Sequence, residues 1–406
     1  MNRFIYLIYV ISSSLFGFLL LPILNNYLSG YEIGMYALLN SLFQLCIIIP
    51  NYSVNSTIIR FYSKYKNNEQ NFKNRMDILL KRLLMFSILA IILVVSFYNL
   101  INPTFSMLDT ACLVIVFITF LLYKNVLSYF QAGNFQKEFI LFSFGELIFR
   151  FTFTIILLIL FENHLVPFWA MSISSLLIYL LAYRDLKNNK FNSGNLKISE
   201  YELSKYFRPL IFSSIFMWIL SSSDQYMLDL FLGKEATGKY LKGYTIPFQI
   251  IIIFTTAYMM YFEPVINSFK NNGNSISIRK EKNRAYLLLL MYGTFILIFG
   301  CLFSEEIYKL LYGENEYGEY VFYLLISLGA LFWSLYKVSN ALILIENYSS
   351  LSCILLMITA IINVVINIIL IPKMGIYGAA LSTTISYLTL FLLSLIANEY
   401  IKKKRG

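Results

Sequence analysis

Four basic side chains stand inside long apolar runs: Lys124, Arg150, Lys242 and Lys337. Acidic residues stand there too: Glu146, Asp224 and Asp229. A charge at the centre of a bilayer costs about 2.5–3.5 kcal/mol on insertion scales, so such a residue faces a bundle interior or water. Glu146 and Arg150 have i,i+4 spacing and so share one helix face. Two readings stand for them: a self-satisfying ion pair, or a site for a substrate or ion. Arg150 does not shed its proton, and it lies farthest from either end of its run. Something anionic must face it: Glu146, a water-filled cavity or a bound molecule. Lys124 and Lys337 lie toward the ends of their runs, so snorkelling stays open for both, as it does for Lys242. Asp224 follows Ser221-Ser222-Ser223, either to hydrogen-bond between helices or to line a cavity. Asn363 and Asn367, again i,i+4, read as interhelical glue.

The elements that must position these groups are apolar helices. A bilayer takes ~20 residues of helix to cross. About twelve such spans emerge from a hydropathy window. They lie near 4–24, 34–56, 83–101, 107–130, 139–161, 164–183, 209–231, 239–264, 285–303, 318–343, 351–371 and 377–398. The fold class expected is an all-α polytopic membrane protein. Lys and Arg resist translocation, so their distribution sets orientation. Counted by alternate loops, nearly all fall on one side: Arg60–Arg82, Arg184–Arg208, Lys270–Arg284 and the tail Lys402–Arg405. The opposite loops hold only Lys234, Lys239, Lys309 and Lys373, among acidic residues such as Glu32, Glu305, Glu306, Glu314 and Glu316. The basic side is expected to be cytoplasmic, with both termini inside.

The formal charge of +10 follows from this topology. No nucleic-acid module is visible, and nucleic acid is not an expected partner. Two readings stand for the basic tail: solvated anchoring, which is favoured, or contact with the anionic headgroups of membrane lipids as partners. Cys46, Cys112, Cys301 and Cys353 sit inside spans without a CxxC, as small apolar residues would. The single His164 cannot build a usual zinc site. No P-loop appears, so direct ATP coupling is not expected. The first span reads as a retained helix rather than a cleaved signal.

The chain repeats itself about two hundred residues on, as parallel-repeat membrane proteins do. Gly30-Tyr31-Glu32-Ile33-Gly34-Met35-Tyr36 is echoed by Gly233-Lys234-Glu235-Ala236-Thr237-Gly238-Lys239-Tyr240. Ala170, Ser172 and Tyr179 are echoed by Ala380, Ser382 and Tyr387. Six spans per copy make parallel repeats, related by a pseudo-two-fold axis along the membrane normal. The division expected is an N-terminal six-helix lobe at 1–183, a cytoplasmic linker at 184–208, and a C-terminal six-helix lobe at 209–406 with a basic tail.

Duplicated bundles, short loops and a polar centre suit a transporter. A membrane glycosyltransferase or polymerase needs a substantial outer loop with acid, base or metal ligands, and the longest here is Ser304–Tyr317. Trp218 to Tyr226, with Gly233, Gly238 and Tyr240, resembles the seventh-helix signature of polysaccharide flippases. These are the Wzx-type proteins of the multidrug/oligosaccharidyl-lipid/polysaccharide exporter superfamily. Asn363 to Ala380 resembles their eleventh-to-twelfth helix signature, and Leu21-Pro22-Ile23-Leu24 with Gly34-Met35-Tyr36 their N-terminal pattern. Gln225 departs from the Arg common there.

The resemblance implies translocation of an undecaprenyl-pyrophosphate-linked oligosaccharide, as for O-antigen and lipopolysaccharide, across a bacterial cytoplasmic membrane. Polysaccharide polymerase and other assembly proteins are implied partners. No cofactor is expected beyond a coupling H+ or Na+. A pyrophosphate needs cations; Arg150, supported by Lys124 and Lys337, is the expected headgroup site. Glu146 and Asp224 are the ion-coupling candidates. A cation-coupled multidrug exporter of the same superfamily is the alternative. Cysteine labelling at Asn192 and Glu314 tests the topology. Opposite accessibility from outside intact cells is expected, and equal labelling of both overturns it.

Overall fold

A computed structural model describes residues 3–133, 135–188, 200–313 and 320–404, with the side chains of 3–11, 188, 200 and 271 excepted. Every described element is helical. The long helices are α1 (Arg3–Tyr27), α2 (Gly30–Pro50), α4 (Glu69–Ile101), α5 (Met107–Ala132), α6 (Gln136–Leu160) and α7 (Val166–Asn188). They continue with α8 (Glu200–Leu232), α9 (Lys234–Asn271), α10 (Ser275–Leu302), α12 (Tyr320–Ile345), α13 (Ser349–Met374) and α14 (Ile376–Lys403). Two short helices, α3 (Ser56–Phe61) and α11 (Ser304–Tyr312), complete the set. Each predicted span falls on a long helix. Among the described residues, nine helical segments are long and apolar enough to cross a membrane.

Apolar side chains point outward as well as inward. On α4, Met85, Phe86, Leu89, Leu93, Phe97 and Leu100 are all more than half exposed, and Leu100 reaches 85%. Water would penalise such a surface, whereas lipid does not. On the packed faces, hydroxylated residues sit among large buried side chains such as Phe117, Tyr123 and Phe262. In lipid, close van der Waals contact and hydrogen bonds replace hydrophobic attraction between helices. Thr119 of α5 donates to Ser172 of α7 at 3.2 Å. Thr255 of α9 and Ser334 of α12 lie 2.7 Å apart. Asn398 of α14 donates to Ser339 of α12 at 2.8 Å.

The chain forms two compact units: one of Met1–Tyr9 and Leu38–Ile215, the other of Val10–Ala37 and Phe216–Gly406. This differs from the expected division at α1 and α2, whose facing portions pack with the second unit. Asn25 of α1 explains part of it, donating to the Tyr312 carbonyl at 2.9 Å and accepting from Lys242 at 3.1 Å. Glycine explains the rest. A Cβ on Gly34 would run into the Lys234 carbonyl, and one on Gly238 into the Gly30 carbonyl. The two copies of the repeated glycine motif therefore meet backbone to backbone. Within the expected linker, 184–188 continue α7 and 200–208 belong to α8, while 189–199 lie outside the described residues.

Two local departures bear on the site. The segment expected as the longest outer loop contains α11, whose Tyr308 and Tyr312 are buried. Glu305 and Glu306 favour its N-terminus, and Gly313, at φ 95, ends it in a conformation that suits glycine. Its span of nine residues escapes a search tuned to bilayer crossing. The second departure is a π-helical turn at Asn51–Asn55, directly after Pro50. Proline has no amide to donate and crowds the preceding turn.

The glycine crossing generates a stability prediction. Gly238→Leu forces its side chain into a backbone carbonyl and is expected to destabilise the protein by about 1–3 kcal/mol. Gly17→Ala, with open space around it, is expected to be neutral. Thermal unfolding of both variants in detergent is the check; equal midpoints would remove the packing role of Gly238.

Candidate functional site

In the second unit, α8 carries Asp224 into the core, where it is 2% exposed. Tyr240 of α9 donates its hydroxyl to Asp224 Oδ2 at 2.5 Å. Thr383 of α14 donates to the same oxygen at 3.4 Å, and the Gln225 amide donates to Oδ1 at 2.9 Å. No Lys or Arg lies within ion-pair distance among the described residues. Donors stabilise the carboxylate, while burial favours the neutral acid. This carboxyl is therefore held by groups that leave its charge uncompensated.

Beside it runs a second polar chain. Ser223 donates to Asn363 Oδ1 at 3.2 Å. Asn363 donates to Ser386 at 3.2 Å, and Asn367 donates to Asn363 at 3.1 Å. Asn363 thus has the interhelical role expected of it, while Asn367 bonds to Asn363 within α13. An aromatic row flanks the acid: Tyr240, Tyr244 and Phe248 stack in succession at 5.6 and 4.6 Å. Tyr387 and Trp333 extend it.

In the first unit, Arg150 Nη2 meets Glu146 Oε2 at 3.2 Å on α6. Glu146 is 1% exposed and also accepts from Ser174 of α7 at 3.4 Å. Arg150 Nη1 lies 3.6 Å from the Met171 sulfur. Of the two readings open for this pair, the geometry forms the ion pair. Lys124 on α5 is differently placed. Its ammonium sits over the Phe120 and Tyr123 rings, at 5.1 and 5.5 Å from their centroids. It lines a cavity of about 300 Å³ with Asn51, Asn55, Phe120, Ser128 and Gln131. The π turn shapes that wall: Asn55 donates to Asn51 Oδ1 at 3.2 Å and accepts from Asn125 at 3.5 Å. One face of this cavity thus offers a cation, amides, a hydroxyl and an aromatic ring.

Lys337 on α12 is exposed and lies 5.0 Å from the centre of the Trp333 ring. Glu263 of α9 is near enough to feel its charge. The predicted residues thus occupy separate places. Glu146, Arg150 and Lys124 lie in the first unit, Asp224 and Lys337 in the second. Sequence reasoning missed Tyr240 and Thr383 as partners of Asp224. It also read Lys242 as snorkelling, whereas that side chain is 5% exposed and bonded to Asn25. Asp229 pairs with Lys234 at 3.5 Å at the α8–α9 turn. His164 contacts Asp109 at 2.8 Å in a buried pair.

A family model described as polysaccharide biosynthesis protein matches residues 1–270. Two membrane proteins of Methanocaldococcus jannaschii are similar in sequence. One is 26% identical over 227 residues, covering 54% of this chain and 50% of its own length. The chain thus spans about half the length of that relative. The other is 21% identical over 419 residues, covering 93% and 81%. Among solved structures, an inward-facing multidrug resistance MATE family transporter of the MOP superfamily aligns over 98% of this chain and 96% of its own. The TM-score is 0.70 at 11% identity. The lipid II flippase MurJ, in an inward closed conformation, aligns over 96% and 87%, with a TM-score of 0.66 at 17% identity. The fold is that of these two-lobed helical proteins. The long apolar helices and the membrane-protein relatives make the chain a multi-pass membrane protein.

The ion pair on α6 makes a prediction. Arg150→Ala leaves Glu146 buried without its cation and is expected to destabilise the protein by about 3–5 kcal/mol. Exchanging the two residues, as Glu146→Arg with Arg150→Glu, is expected to recover part of that loss. Membrane yield and thermal midpoint are the readouts. A swap no better than the single change would show that Arg150 meets something other than Glu146.

Proposed function

Because this chain belongs to the polysaccharide biosynthesis protein family, we propose that it carries an undecaprenyl-pyrophosphate-linked oligosaccharide from the cytoplasmic to the outer leaflet. Ion-coupled alternating access drives the step, in a bacterial cytoplasmic membrane with both termini inside. The observation that carries this reading is the Lys124 cavity. A pyrophosphate needs a cation at the wall of a cavity that can admit it. Lys124 presents its ammonium to a cavity whose other polar groups, Asn51, Asn55, Ser128 and Gln131, suit a sugar. Phe120 offers an apolar face to the same ligand. Arg150 is already engaged by Glu146, so its role is to hold α6 in place. Lys337 offers a second exposed cation in its own unit. The lipid tail stays in the bilayer throughout.

Asp224 is the coupling carboxyl in this reading. It has three donors and no cation, so a proton or metal cation can join it without first breaking an ion pair. Glu146 has Arg150 to displace before it can do the same. The fold likeness to a lipid II flippase agrees with a lipid-linked cargo. Assembly enzymes such as a polysaccharide polymerase would take the product at the outer leaflet. A cation-coupled drug exporter is the second reading, favoured by an acidic Asp224 that lacks a basic neighbour.

In cells whose surface polysaccharide depends on this protein, Lys124→Ala is expected to lower display about tenfold or more at unchanged membrane level. Lys124→Arg is expected to keep part of it. Asp224→Asn is expected to abolish the response of transport to the proton or sodium gradient. Full display by Lys124→Ala would overturn the headgroup assignment. Efflux of cationic drugs without any effect on polysaccharide would favour the exporter.

A further inference from the structure

We infer that the second unit carries a separate site for the phosphate of an anionic membrane lipid, at the end where α9, α10, α12 and α14 meet. It is independent of the transport reading. The α9–α10 turn and the C-terminal ends of α12 and α14 enclose a cavity of about 670 Å³. Four cations line it: Lys270, Arg279, Lys282 and Lys402. Two carboxylates, Glu346 and Glu399, line it as well. The cavity thus holds a surplus of positive charge.

That surplus is concentrated on α10. Lys270 is bound to Glu346 at 2.6 Å, and Lys402 stands 4.0 Å from Glu399. Arg279 and Lys282 form no ion pair among the described residues. They sit on the first turns of α10, whose Asn274 cap accepts from the Ser277 amide at 3.0 Å. A helix N-terminus adds its partial positive charge to theirs. A dianionic or monoanionic phosphate ester meets both demands, with Arg279 offering a forked donor and Lys282 a point charge.

The surroundings point to a lipid as the carrier of that phosphate. Ile276 lines the cavity and is 69% exposed, and Tyr400 on the adjacent helix is 59% exposed. Leu342 is a buried wall of the same cavity. A site for a soluble phosphate has no use for apolar groups at its rim. Headgroup depth, by contrast, is where aromatic side chains and basic pockets between helices meet lipid. By the distribution of Lys and Arg, this end faces the cytoplasmic leaflet, where anionic lipids concentrate.

Thermal unfolding of the full-length protein in a neutral detergent tests the site. The probes are short-chain phosphatidylglycerol, short-chain phosphatidylcholine and sodium pyrophosphate. Phosphatidylglycerol is expected to raise the midpoint in a saturable way, and the other two are not. Arg279→Gln with Lys282→Gln is expected to raise the half-saturating lipid concentration about tenfold or more. Lys280→Gln, outside the cavity, is expected to leave it unchanged. Arg279→Gln alone, at an exposed position, keeps the test available if the double variant is poorly folded, and is expected to shift the curve the same way. An unchanged curve for the Arg279 variant overturns the site. A full response to pyrophosphate without lipid overturns the lipid as its occupant.

Discussion

A polar or charged group placed in hydrocarbon must find its partner inside the protein, because no water is there to serve. Most features of this structure follow from that constraint. Serine and threonine side chains within the helices return their hydroxyls to carbonyls one turn back, as Thr255 does to Ile251 at 2.9 Å and Ser334 to Ala330 at 2.7 Å. Asn363 of α13 bonds across to α8 and α14. Glu146 and Arg150 hold each other. With these groups satisfied, the outward faces are free to be largely apolar, and buried hydroxyls can sit among the large side chains of the helix contacts, such as Trp333 and Tyr336.

The same constraint sorts the charges by what they can still do. A charge consumed by a partner of its own protein is structural, however deep it lies. Arg150 is the deepest cation by sequence, yet its fork is occupied. Lys124 is nearer a helix end; two aromatic faces meet its ammonium, and it lines a cavity. Cation–π contact holds a charge at about 0.5–2 kcal/mol without neutralising it. Asp224 is the acidic counterpart, satisfied by hydroxyls and an amide but carrying its charge unopposed. Depth and the charge of the nearest partner are thus separate properties of these residues.

What was legible in the sequence depended on how far apart the interacting residues stand. Long apolar runs reveal helices because a span is a local property, and the described spans all fall on helices. The Glu146–Arg150 pair was visible because i,i+4 spacing on a helix implies contact. The partners of Asp224 were not, since Tyr240 is 16 residues away and Thr383 is 159. Lys242 and Asn25 are 217 apart, so a lysine near a span end had no visible reason to be buried. Helix α11 was missed for the opposite reason: it is local but too short for a bilayer criterion. The close contact of Gly34 with Lys234 and of Gly238 with Gly30 was half visible, because the repeated motif marked the residues without showing that the two copies touch.

Pro50 shows how a backbone defect becomes part of a cavity wall. Its missing amide and its ring disturb the regular helical ladder. In lipid, an interrupted ladder survives only where side chains re-satisfy the freed groups. Here the chain widens into a π turn at Asn51–Asn55, and Thr57 donates its hydroxyl to the Tyr52 carbonyl at 3.3 Å. Asn51 and Asn55 are on this turn, bond to each other, and both line the cavity. An uninterrupted helix would carry the two asparagines, at i,i+4, at a different angle to Lys124. The interruption that costs the helix regular hydrogen bonding is thus what sets polar groups beside Lys124, the one cation in that cavity wall among the described residues.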